Sequence, residues 1–156
     1  MKRIALLLMI VMLLLSAVSA QETDIPEPQI KKNSVYVTGG IFILYYNIQL
    51  NYERVVWEPD LLLLKTVSIK TGAGWWETLR SKGTSYSLSL SAMSGKRDWH
   101  FEYALGICYF PDYFVDLKFI PAVNGGLRYQ KPGNSFIFRV GVGLPEFAYL
   151  SIGYAF

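Results

Sequence analysis

The sequence is short of residue types on which binding sites are commonly built. Its 156 residues include one cysteine, Cys108, and one histidine, His100. A single cysteine cannot form an internal disulfide, and one histidine with one cysteine cannot supply the ligand set of a zinc site. We therefore expect no metal and no cofactor, and the rigidity of the chain has to come from its fold.

Charge of one sign is also scarce. Apart from Lys2 and Arg3, 13 basic side chains stand against 12 acidic ones, a net charge of +1. Binding of nucleic acid needs a concentrated basic surface, so we expect no such partner. The glycine pairs at 39–40 and 125–126 do not introduce helices, and they indicate bends or small inward positions rather than a phosphate loop.

The long apolar run at the start of the chain has the features of a targeting segment. Basic Met1-Lys2-Arg3 is followed by apolar IALLLMIVMLLL and by small residues, SAVSA, before Gln21. This order is typical of a cleaved secretory signal peptide, and the run is short for a membrane helix of about 20 residues. We predict a signal peptide over 1–20, a flexible segment over 21–33 and a folded domain over 34–156.

From residue 34 onward a helical period is missing, and alternation takes its place. In YYNIQLNYE, SYSLSLSA, WHFEYALGI and SFIFRVGVGL, large apolar residues alternate with mostly small or polar ones, which is the strand signature. With turn-forming EPD, SGKRD and QKPGN, the pattern predicts eight strands, at 34–41, 44–56, 63–75, 84–93, 98–108, 115–130, 134–144 and 147–156. Pro121 cannot donate to a ladder, so the sixth strand should carry a bulge or begin later.

The two faces of these strands indicate the kind of barrel. Side chains as large as Trp99 and Phe101 would overfill an eight-stranded interior if the apolar face pointed inward. Pointing the small and polar face inward and the apolar face toward lipid removes the conflict, and closure removes the sheet edges. We predict an all-β, eight-stranded, antiparallel, up-and-down transmembrane β-barrel, whose lipid-facing residues include Leu105, Phe138, Val140 and Ile152.

Aromatic residues fall near both ends of the predicted strands, as in the girdles of membrane barrels. One rim is predicted to contain Tyr52, Trp57, Trp99, Tyr129, Phe136, Tyr154 and Phe156, and the other Tyr46, Trp75, Trp76, Tyr109, Phe110 and Phe147. A soluble β core with scattered aromatics is the alternative. In the longest predicted outer loop, FPDYFVD, exposed aromatics could rest at the lipid interface or bind an unknown surface partner.

Four stretches, NIQLNYER, HFEYALGICY, GGLRYQKPGNSFIFRVGVG and LSIGYAF, make the chain resemble the small outer-membrane β-barrel proteins of Gram-negative bacteria, in particular a set from Bacteroidota. The resemblance covers nearly all of the chain after the signal peptide. It implies an outer-membrane location, contact with outer-membrane lipid and periplasmic termini. It also implies that Tyr154 and Phe156 form a signal for the barrel assembly machinery during insertion. No particular activity is implied.

The inward face carries charges of both signs, on Glu53, Lys70, Glu102, Arg128 and Arg139. In so narrow a lumen we expect opposite charges to pair and to fill the space. This predicts a polar plug and a structural or surface-interaction role without catalysis. A narrow pore is an alternative, although barrels of this width do not make general diffusion channels.

A lipid-modifying hydrolase is the other alternative. His100 and Glu102 project to the same side of one predicted strand, and in a tight hairpin Ser91 would lie roughly opposite His100, with Ser89 on the same face. This Ser/His/Glu set resembles the catalytic groups of lipid-modifying barrel enzymes. An interior hydrogen-bond network explains the same residues without catalysis, and it is the interpretation that we favour.

Overall fold

A computed structural model describes residues 30–43, 45–59, 61, 64–95, 98–112 and 118–156. The predicted signal peptide and most of the predicted flexible segment lie outside these residues. Eight strands are present: β1 (Asn33–Phe42), β2 (Tyr45–Trp57), β3 (Thr66–Thr78), β4 (Lys82–Ser94), β5 (Trp99–Tyr109), β6 (Phe119–Tyr129), β7 (Phe136–Leu144) and β8 (Phe147–Ala155). Within the described ranges, no helix is long and apolar enough to cross a membrane.

The strands form one closed barrel in strict sequence order, and each strand is antiparallel to its neighbours. β8 pairs with β1 along the seam, where Val37 lies opposite Ile152. At the end of the seam, Asn33 and Phe156 exchange two backbone hydrogen bonds of 3.1 and 2.8 Å. The predicted all-β, eight-stranded, antiparallel up-and-down barrel is confirmed. We call the end where β1 begins and β8 ends the terminus-side end, and the other the opposite end.

The leucine run and the start of β3 differ from the prediction. β3 begins at Thr66 rather than at residue 63. Leu61 and Leu64 therefore lie in the β2–β3 connection, where they form an isolated bridge. Consecutive leucines break the alternation, so the run carried no period from which a strand start could be read.

Pro121 lies inside β6 without a bulge. β6 begins at Phe119, later than residue 115, and its register with β5 runs without a shift through Pro121. Pairing with β7 starts only at Val123. One edge of β6 is therefore unpaired at the proline, so the missing N–H need not interrupt a ladder there.

Alternation along the strands sorts the side chains by polarity. On the outside, Leu105, Val140 and Ile152 are 67%, 40% and 53% exposed, and Phe138 shares this face. The buried inward residues are mostly polar, among them Ser34, Thr38, Asn47, Gln49, Asn51, Ser68, Ser85, Ser89, Ser91 and Ser151. This radial order is the reverse of that in a soluble barrel, whose apolar side chains lie inside.

Two of the predicted rim aromatics were assigned wrongly. Trp76 and Phe110 are buried inside the opposite end, where their rings meet edge to face at 6.0 Å and pack with Cys108 and Ala122. Trp76 is an even number of residues from the inward-facing Lys70 on β3, so the alternation already placed its side chain inside the barrel. Phe110 fills the barrel mouth instead of being presented to a partner. The other predicted rim aromatics lie on the outer surface, exposed or half-buried.

Candidate functional site in the barrel lumen

The lumen holds aromatic rings as well as the small and polar side chains predicted for it. The guanidinium carbon of Arg139 lies 4.4 Å from the ring centroid of Tyr36 and 5.8 Å from that of Tyr149. Glycines leave the space for the Tyr149 ring, since a Cβ at Gly141 would lie 2.6 Å from the Tyr149 hydroxyl oxygen and one at Gly126 would lie 2.8 Å from it. Large inward residues opposite glycines therefore fill the lumen without widening the barrel.

All five predicted lumen charges lie inside the barrel, each at most 7% exposed. Nη1 of Arg128 donates to both carboxylate oxygens of Glu53, at 2.8 and 2.9 Å, and lies 3.6 Å from Glu102. Arg139 donates to Glu102 through Nη2 and through Nε, the latter at 2.8 Å. These four residues form one chain of alternating charges, which we call the ion-pair layer.

The register explains why this layer needs both glutamates. Arg128 and Arg139 lie directly opposite each other on β6 and β7, where like charges repel. Glu53 and Glu102 reach them from β2 and β5, so two cations meet two anions. Buried charges are tolerated when they are paired and hydrogen-bonded, and the side-chain hydroxyl of Ser91 adds a 3.3 Å bond to Glu53.

A small cavity lies between the ion-pair layer and the opposite end. The cavity has a volume of about 20 Å³, which is room for about one water molecule. Its wall consists of Thr38, Gln49, Asn51, Lys70, Ser87, Ser89, Cys108, Ala122, Asn124, Arg139, Glu146 and Tyr149. We call this region the cavity layer.

Several polar groups of the cavity layer have no direct hydrogen-bond partner among the described residues: Oγ of Ser87 and Ser89, Oδ1 of Asn124 and Oε2 of Glu146. Lys70 likewise makes no direct hydrogen bond or ion pair within the described part of the chain. Glu146 lies in the β7–β8 connection, where alternation does not apply, so no sequence signal indicated that it points inward. Lys70 thus stands apart from the other four predicted charges.

The described start of the connection between β5 and β6 packs into the opposite end. Phe110 at its start packs on Trp76 inside the mouth. Two residues later, the Asp112 carboxylate accepts hydrogen bonds from the backbone N–H and the hydroxyl of Thr84, both at 3.1 Å. These bonds fix the start of the connection to the first residues of β4.

The structure does not bring the predicted serines to His100. Ser91 pairs with Ala104, and Ser89 pairs with Gly106. The predicted register was wrong because the hairpin is not tight: residues 95–100 separate the paired parts of β4 and β5.

The members of the predicted Ser/His/Glu set have other partners. Glu102 belongs to the ion-pair layer. Nε2 of His100 lies 3.3 Å from the carbonyl oxygen of Gln130, and the Ser91 hydroxyl donates to Glu53. A serine nucleophile activated by His100 would need the imidazole within hydrogen-bond reach, and Nε2 of His100 contacts the carbonyl oxygen of Gln130 instead.

Across the described residues, no group of three or more His, Cys, Asp or Glu side chains could hold a metal ion. Comparisons with protein-family models, curated proteins and solved structures give no significant match. The fold and the lumen are therefore the basis for proposing a function, and the resemblance to bacterial outer-membrane proteins stays a prediction.

Proposed function

We propose that the protein is an integral outer-membrane β-barrel protein, exported by a cleaved signal peptide, with a structural or surface-interaction role. One observation carries the proposal: a closed barrel with an apolar outer surface and a polar interior. In water, exposure of an apolar surface of this extent would be unfavourable in free energy. In a bilayer the same surface would contact lipid hydrocarbon. Closure of the barrel would leave few backbone N–H and C=O groups without hydrogen-bond partners.

The dimensions of the barrel support this assignment. The strands contain 9 to 13 residues, and a tilted transmembrane strand needs about 9–11. Exposed aromatic side chains lie on the outer face near both ends of the barrel. Examples are Trp57 and Trp99 at the terminus-side end and Trp75 and Tyr46 at the opposite end. Aromatic rings at two levels are typical of the two membrane–water interfaces.

The contents of the lumen favour a plug over a pore and over catalysis. The ion-pair layer crosses the lumen, the cavity beside it has room for about one water, and Phe110 and Trp76 pack inside one mouth. At the opposite end the connections at 43–44 and 145–146 are short, and the longest, 110–118, is fixed at its start by Asp112. The short connections at 43–44 and 145–146 favour a structural role over a large docking surface.

Cysteine labelling along β4 tests the proposal. In a Cys108→Ser background, Leu88→Cys and Leu90→Cys should react with a membrane-dissolved maleimide in outer-membrane fractions. Ser89→Cys between them should be protected, because its side chain faces the lumen. Heat-modifiable migration on gels checks that each variant is folded. Protection at 88 and 90 with labelling at 89 would mean that the protein is a different kind of barrel.

A further inference from the structure

The wall of the barrel is lower on one side than on the other. Measured from the terminus-side end, β3 and β4 contain 13 residues each, whereas β7 and β8 contain 9 each. With a rise of about 3.3 Å per residue and a tilt of about 40°, the longer strands reach a height of about 30 Å and the shorter ones about 20 Å. The apolar band of a membrane barrel is about 25 Å tall. The β3–β4 turn therefore clears such a band, and the β7–β8 connection does not.

The low side of the wall ends in apolar residues. β1 has 10 residues, and its Ile41 lies opposite Phe147 at the start of β8. Ile41, Ile43, Leu144 and Phe147 are 63%, 81%, 45% and 48% exposed. Leu144 continues the outer row of β7 two residues after the exposed Val142. We call Ile41, Ile43, Leu144 and Phe147 the low corner.

The backbone at the low corner has a conformation that suits other residue types. φ is +43° at Ile43 and +59° at Phe147, in the left-handed region where β-branched and bulky residues are rare. Short hairpin turns usually place glycine or asparagine at such positions. Isoleucine and phenylalanine are therefore unfavourable for the turns themselves. Their presence at exposed positions indicates surroundings that favour large apolar side chains.

The one charged residue of the β7–β8 connection points away from this surface. Glu146 is 6% exposed, and its Oε1 accepts a hydrogen bond of 3.4 Å from the side-chain amide of Asn47 in the lumen. Gly40 leaves the space for it, since a Cβ there would lie 2.7 Å from Cβ of Glu146. A carboxylate in hydrocarbon is highly unfavourable. The inward direction of Glu146 therefore suits a connection that is surrounded by lipid.

The β3–β4 turn on the high side is polar by comparison. Oγ1 of Thr78 accepts hydrogen bonds from the backbone N–H groups of Arg80 and Ser81, at 3.3 and 3.1 Å. The side chains of Arg80 and Lys82 are exposed. Leu79 is exposed as well, but it lies between these polar neighbours. Such a turn suits contact with water or with polar headgroups.

We propose that the low corner is embedded in the bilayer, with Ile43 and Phe147 in contact with lipid acyl chains. The inference rests on the proposed membrane location and adds the depth of each side of the barrel. The barrel mouth lies within the membrane on the β7–β8 side, and the wall stands above the membrane on the β3–β4 side. Of these two sides, the β3–β4 turn is the one that a partner outside the membrane can reach.

Spin labels on single cysteines measure this depth. In the Cys108→Ser background, Ile43→Cys and Phe147→Cys are labelled, and the full-length chain is refolded in phosphatidylcholine vesicles. Collision rates are measured with oxygen, which concentrates in hydrocarbon, and with a water-soluble nickel complex present on both sides of the membrane. The ratio of oxygen to nickel collisions at positions 43 and 147 should exceed the ratio at a labelled Leu79→Cys severalfold.

Leu79→Cys is the matched control, because Leu79 is as exposed as Ile43, at 78% against 81%, and lies in a connection at the same end. Leu88→Cys, on the outer face of β4, is the reference for lipid contact. Ratios at 43 and 147 as low as at 79 would overturn the embedded corner, and so would a ratio at 79 as high as at 43. A low ratio at 88 in folded protein would instead overturn the membrane location, so the two failures are distinguishable.

Discussion

The ion-pair layer and the cavity layer are built largely from the same inward faces, yet they satisfy their polar groups differently. In the ion-pair layer a guanidinium donates directly to each carboxylate, as from Arg128 to Glu53 at 2.8 Å. In the cavity layer, Lys70 and Oε2 of Glu146 lack direct partners among the described residues. Arginine has a broad, planar fork that can bridge two carboxylates, whereas the serines and glycines around Lys70 leave space that suits a bridging water.

The largest effect is expected from Glu102→Gln, which breaks the ion-pair layer. The amide keeps the shape of the carboxylate, but Arg139 loses its charged partner and Arg128 loses a neighbouring anion while both stay buried. Removal of one member of a buried pair typically costs about 3–5 kcal/mol of unfolding free energy. Urea unfolding in lipid vesicles, followed by tryptophan fluorescence, measures this loss.

The matched double variant Glu102→Gln/Arg139→Gln shows whether the loss comes from the stranded charge. It should recover part of the stability, with a coupling energy of about 1–3 kcal/mol, because the two residues are in contact. If the two single losses simply add, the ion-pair layer is not a coupled unit and the contrast with the cavity layer fails.

A smaller effect is expected from Lys70→Met. Methionine keeps much of the length of the side chain and removes an ammonium that has no direct partner in the described part of the lumen. The cost of keeping that charge out of water disappears with it. The variant should therefore lose no more than about 2 kcal/mol in the same unfolding experiment. A loss as large as that of Glu102→Gln would show that Lys70 is held as tightly as the arginines.

Lys70 also shows which part of the site could be predicted from the sequence. The period of two placed Glu53 and Lys70 on the inward face, because side-chain direction in a strand depends only on parity. Partner choice depends on side-chain reach across the lumen, which parity does not give. Lys70 is the cross-strand neighbour of Glu53, yet Glu53 accepts its charged hydrogen bonds from Arg128 on a distant strand.

The fold was predictable for a similar reason, and the hairpin geometry was not. Alternation over every strand, with large residues on one face, left a closed barrel with an inverted interior as the consistent arrangement. Register across a hairpin depends on the length and type of the connection. The stretch SGKRD was interpreted as the compact turn of a tight hairpin, whereas residues 95–100 separate the paired parts of β4 and β5, so the predicted contact of Ser91 with His100 was wrong.

The smallest effect is expected from two serines of β4, one with a hydrogen-bond partner and one without a partner among the described residues. Ser89 and Ser91 are both buried on the same face, at 5% and 3% exposure. Ser91 donates to Glu53 at 3.3 Å, whereas Oγ of Ser89 has no partner among the described residues. Ser91→Ala should therefore cost about 1 kcal/mol of unfolding free energy, the usual contribution of one hydrogen bond. Ser89→Ala should be close to neutral, and equal losses would mean that both layers hold their hydroxyls equally well.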